Sequence, residues 1–158
     1  MMFDGGVFMD RLAACPDYYH HIIQPCPVEL IGVVEKTLGR LPQPLAEILN
    51  RFDGAELFIA GLPLVTFFRA SACSPLPPVE WGQDWYVDCA TAQWRAAGPG
   101  REGDWAFAMT SYGGLVIYGD SGVVKEWDIG NRRWISEALP FEQWIDKMMS
   151  DGVALMAE

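Results

Sequence analysis

Cys15, His20, His21 and Cys26 have the composition of a zinc site, since thiolate and neutral imidazole are the ligands zinc prefers. Their spacing does not. Structural zinc sites place two cysteines or two histidines a few residues apart, so that each pair grips the metal from one turn, and adjacent histidines cannot easily do this. The expectation is ordinary histidines and thiols, with no metal and no other cofactor.

Carboxylates are the second candidate chemistry. Asp84, Asp88, Asp104, Asp120 and Asp128 could supply the acid and base of a hydrolase, which needs two such groups in different environments. Nothing in their spacing pairs them, and Asp120, before Ser121-Gly122, reads as a turn residue whose side chain bonds nearby backbone N–H groups. The chain has no nucleophile elbow, Walker loop or Rossmann fingerprint, because Gly113-Gly114 and the glycines near residue 100 lead into no helix that would make a phosphate cradle.

The chain has 7 tryptophans in 158 residues. Trp105, Trp127 and Trp144 fall at periodic apolar positions and read as core. Trp81 and Trp85 lie among Glu80, Asp84 and Asp88, with Trp94 just beyond. Aromatic anchors ringed by acids suit a binding patch for a basic partner, with Glu126 and Asp128 as further candidates. The competing reading is a helix that packs its aromatic face inward.

A formal net charge of −10, from 11 basic and 21 acidic residues, disfavours direct binding to DNA, RNA or anionic lipid, because such binding depends on cations neutralising phosphate. A basic protein would instead be attracted. Half the residues are apolar, enough for the core of one domain. No apolar run approaches the ~20 residues of a spanning helix, and Asp4 and Asp10 stand where a signal peptide would carry Lys or Arg. The expectation is a soluble cytoplasmic protein. Cysteines at 15, 26, 73 and 89 have irregular spacing, which favours thiols over a disulfide framework.

Residues 1–27, with Gly5-Gly6 and prolines at 16, 25 and 27, read as an accessory segment with a short helix near Val7 to Ala14. Residues 28–158 read as one domain. Val28, Ile31, Val34 and Leu38 stack on one helix face, and Leu45, Ile48, Leu49 and Phe52 on another that opens at Pro44 and closes at Asp53-Gly54. Strands follow at Glu56–Ile59 and Leu62–Phe68. A proline-rich loop near 75–78 leads to a helix over Asp84–Ala96 carrying Trp85, Cys89 and Ala92 on one face. From Trp105 to Trp134 the alternation and glycine turns predict an antiparallel meander, and Phe141, Trp144, Ile145 and Met148 predict a closing helix with Gly152 beyond its stripe. This order predicts an α+β fold with helices packed on one side of a mostly antiparallel sheet.

Ile31, Glu35, Leu38-Gly39, Leu41-Pro42 and Asp53-Gly54 resemble the opening of the SUKH superfamily, with Asp53 where Asn is usual and Ala55 where a second Gly is usual. The likeness continues through Glu56-Leu57-Phe58, Gly61-Leu62, Gly114 to Tyr118, Val124, Trp127-Asp128 and Phe141-Glu142 with Trp144-Ile145. It implies an immunity protein that binds and neutralises a cognate toxin, often a nuclease, in a bacterial polymorphic toxin system. A regulatory interaction module is the alternative within the same superfamily, and a hydrolase is a further alternative that would need two carboxylates converging in a pocket.

Overall fold

The computed structural model describes residues 2–25, 27–71, 86–135 and 137–158. The described helices are α1 (Gly5–Ala13), α2 (Val28–Leu38), α3 (Gln43–Leu49), α4 (Val87–Ala96) and α5 (Phe141–Met156). The strands are β1 (His21–Ile22), β2 (Ala55–Ala60), β3 (Leu62–Phe67), β4 (Trp105–Thr110), β5 (Gly114–Tyr118), β6 (Val123–Asp128), β7 (Arg133–Trp134) and β8 (Leu139–Pro140). They form one open sheet ordered β1 to β7, with β8 also on β6, and every strand pairing is antiparallel. The expected α+β class is therefore the observed one.

The aromatic core fixes which helix lies where. Phe67 on β3 meets Phe8 of α1 (6.1 Å), Phe52 beyond α3 (5.7 Å) and Trp144 of α5 (6.1 Å). Those helices share one face of the sheet. Trp144 donates to Glu126 on β6, whereas Trp94 of α4 packs on Trp127, the next residue of that strand. Neighbouring strand residues point to opposite faces, so α4 covers the other side with α2 packed beside it. Helices therefore cover both faces of the sheet rather than the one side expected, because β6 presents apolar or aromatic partners on each face. Residues near the N-terminus belong to the same core, since Phe3, Phe8 and Leu12 are buried within it.

Local details depart from the periodic reading where tertiary contacts intervene. In α2 the buried residues are Leu30 and Val34, while Val28, the first residue of the helix, is 76% exposed. Period defines a stripe but not where the covering partner begins. Leu45, Ile48, Leu49 and Phe52 are all buried as expected, and each such side chain contributes about 1.5–3 kcal/mol. However, α3 ends at Leu49 rather than at Asp53-Gly54. The Asp53 N–H bonds the carbonyl of Gln24 (3.1 Å), which draws the chain off the helix axis. Gly54 (φ +92°) then turns it into β2.

In α4 the buried face is Val87, Ala90, Thr91 and Trp94, while Cys89 and Ala92 are exposed. The helix also begins later than expected, because Tyr86 is extended and bridges Arg69. A register shift between Ala106 and Ala108 interrupts the alternation in β4. The closing helix runs on through Gly152, a position held without a side chain because Phe58 packs against it.

Candidate functional site

Of the acidic and aromatic residues selected from the sequence, Glu80, Trp81, Asp84 and Trp85 lie outside the described residues. Asp88, in the first turn of α4, accepts a hydrogen bond from the Ser71 hydroxyl (2.7 Å), tying the helix to the chain that follows β3. Glu126 is only 4% exposed and accepts from Trp144 Nε1 (3.2 Å) and from the Tyr112 hydroxyl. Burial, then the Glu126 contact, raises the Tyr112 pKa above the usual tyrosine range. Asp128 closes the β6–β7 turn by accepting from the Asn131 backbone (3.0 Å) and side chain (2.8 Å), and these bonds hold its carboxyl below the usual range. Asp88 belongs to the α4 side of the sheet and Glu126 to the α5 side, so these residues do not meet in one patch.

Of the N-terminal cysteines and histidines, Cys15, His20 and His21 each have a partner outside that set. Cys15 Sγ donates to the Arg11 carbonyl (3.7 Å), and Cys26 lies outside the described residues. His20 Nδ1 accepts from the Phe58 N–H (3.1 Å), its ring meets Phe58 edge-on at 4.7 Å, and its buried Nε2 has no hydrogen-bond partner among the described residues. Burial holds its pKa below the usual imidazole value. His21 Nδ1 is 4.0 Å from Glu56, whose pKa is raised by burial and partly restored by that histidine. Among the described residues, no group of three or more His, Cys, Asp or Glu side chains is placed to hold a metal ion.

Two further acids have internal partners. Asp53 accepts from Arg69 and from the Ala70 N–H (2.8 Å), so the Asp53-Gly54 pair acts as a structural clamp. Asp104 accepts from Trp94 Nε1 (2.9 Å) and the Arg101 N–H (3.1 Å). Beside it, Arg95 donates to the carbonyls of Asp104 (2.9 Å) and Leu38 (2.8 Å), with its guanidinium 4.8 Å above the Trp105 ring. Burial lowers the Arg95 pKa, opposed by Asp104 and Glu102.

Among the described residues, a broad concavity lies at the end of the sheet where β4 begins, β5 ends and α5 starts. It is an open cleft of about 1150 Å³ lined by Phe3, Trp105, Tyr118 and Phe141, with Glu102, Asp120, Glu142, Arg40 and Arg95 among its polar residues. Gly103 packs against one of these acids: a Cβ there would stand 2.7 Å from that of Asp120. Glu102, Asp120 and Glu142 are all exposed, so none has the dry environment that separates a general acid from a general base.

No protein-family model and no curated protein matches this chain. The site must therefore be read from its own geometry.

Sequence reasoning weighed Asp120 among the hydrolase carboxylates, favoured a turn role for it, and missed the cleft. Its aromatic lining comes from the N-terminus, two strand ends and a helix start. The available signal was local, since Tyr118-Gly119-Asp120 and Pro140-Phe141-Glu142 each put an aromatic and an acid beside a chain-turning residue.

Proposed function

We propose that this chain is a non-enzymatic binding protein, an immunity protein of the SUKH type that neutralises a basic toxin domain of a bacterial polymorphic toxin system. It acts by stoichiometric occlusion, and no catalytic residue of its own is required. The observation that carries this reading is the unpaired acidity of the surface. The net charge is −10, and exposed acids such as Glu102, Asp120 and Glu142 make no ion pair among the described residues.

A negative surface raises the encounter rate with a positive partner and repels phosphate. A nuclease holds its substrate through a basic groove, so an acidic protein can cover that groove without chemistry. The resemblance in sequence supports the same role, with Asp53-Gly54 serving the fold and leaving the surface free to vary. No helix among the described residues is long and apolar enough to cross a membrane. The test is retention of proteins from the native cell lysate at low and high salt. The reading expects a basic protein held at low salt and released by salt, and recovery of no basic protein would contradict it.

A further inference from the structure

We propose that the cleft between Trp105, Tyr118 and Phe141 is the docking surface, and that its occupant is a loop of the partner protein presenting a basic side chain. This rests on the reading of a basic partner given above and adds the place and chemistry of contact.

Shape is the first argument. At about 1150 Å³ and open to solvent, the cleft exceeds the ~300–1,000 Å³ typical of small-molecule pockets. A peptide segment fits it better than an enclosed ligand. Its walls are also fixed in advance: Gln43 donates to the Phe3 carbonyl (2.8 Å) and accepts from the Phe3 N–H (3.1 Å), and Phe3 meets Phe141 edge-on at 4.9 Å. Tyr118 also meets the Phe141 ring, at 5.8 Å. A preformed wall lowers the entropy lost on binding.

Charge complementarity selects the occupant. Glu102, Asp120 and Glu142 line the cleft without ion-pair partners among the described residues, and Tyr118 is the half-buried aromatic among them, Phe3, Trp105 and Phe141 being buried. That combination suits a lysine or arginine, whose stem packs along the Tyr118 ring and whose head meets carboxylates. The two lining cations do not reverse this. Arg95 is held by backbone carbonyls and stacked on Trp105, so it acts as wall. Arg40, exposed in the link between α2 and α3, disfavours a second basic residue on its side and so orients the loop.

The experiment uses the full chain and a synthetic arginine- and lysine-containing peptide as probe, followed by backbone and indole NMR. The expected result is shift changes concentrated at Gly103, Trp105, Tyr118 and Phe141. The triple variant Glu102→Gln, Asp120→Asn, Glu142→Gln should bind the peptide about tenfold more weakly. A control with the same change in net charge, Asp10→Asn, Glu29→Gln, Glu137→Gln, should weaken it much less. Equal weakening by both triples, or no binding of the peptide, overturns the cleft assignment. The same variants on a partner retained from lysate separate the two claims. A basic protein still held undiminished by the cleft triple would overturn the docking site but leave the binding role standing, whereas absence of any basic protein would remove the role itself.

Discussion

Asp53 and Arg69 form a buried ion pair, 0% and 4% exposed, in which Nε (3.3 Å) and Nη2 (3.2 Å) of the guanidinium both reach Oδ2 of the carboxylate. The other oxygen, Oδ1, accepts the Ala70 N–H. This links the end of the α3 region to the chain leaving β3. Asp53→Ala strands a buried guanidinium and should cost about 3–5 kcal/mol. Gly54→Ala forces a left-handed residue with a Cβ 2.9 Å from Arg69 Cγ, at a cost of at least about 1–2 kcal/mol. Urea unfolding of both variants checks this, and wild-type midpoints would contradict it.

Trp94 and Asp104 make a second internal clamp, joining α4 to the loop before β4 (2.9 Å). Trp94→Phe keeps most of the ring but removes the N–H. Asp104 then loses one of its donors, and a loss of about 1–3 kcal/mol is expected in thermal or urea unfolding.

His20 predicts acid sensitivity. Its folded pKa is lowered by burial, so below the unfolded value of 6.5 the unfolded chain binds more protons. Stability is therefore complete above pH 6.5 and declines as pH falls from there through the lower folded value. Protonation also ends Nδ1's role as acceptor for Phe58, a residue at φ +55° inside β2. Amide exchange at Phe58 should accelerate on acidification. His20→Asn, whose oxygen can accept the same N–H without titrating, should flatten that dependence.

Tyr112 predicts the opposite end of the scale. Its folded pKa is raised by burial and by Glu126, so its contribution is intact below the unfolded value of 10.0 and is lost as pH rises past it. Burial raises Tyr118 as well, so spectroscopic titration should show tyrosines ionising late, and Tyr112→Phe should reduce that component without abolishing it.

The legible parts of this fold are those set by local periodicity. The stripe Leu45, Ile48, Leu49, Phe52 and the hairpins around Gly61 and Gly113 follow from spacing and turn chemistry alone. Burial of Trp94 was one of two readings the sequence left open, and the competing inward-packed helix holds for it; the choice is made by Trp127 and Asp104, which lie on distant strands and loops. Glu126 reads as a surface acid in sequence, yet β6 turns it towards Trp144. The cleft was hidden for a related reason: Phe3, Trp105, Tyr118 and Phe141 are far apart in the chain and meet only when the sheet closes on α5.

The most direct measurement of the central claim is a growth assay on whichever basic protein the chain retains at low salt. An immunity role requires that this protein arrest growth when expressed alone, and that co-expression of the chain restore growth through a one-to-one complex that salt weakens. A retained protein that is harmless alone, or one whose toxicity persists in the presence of the chain, would contradict it.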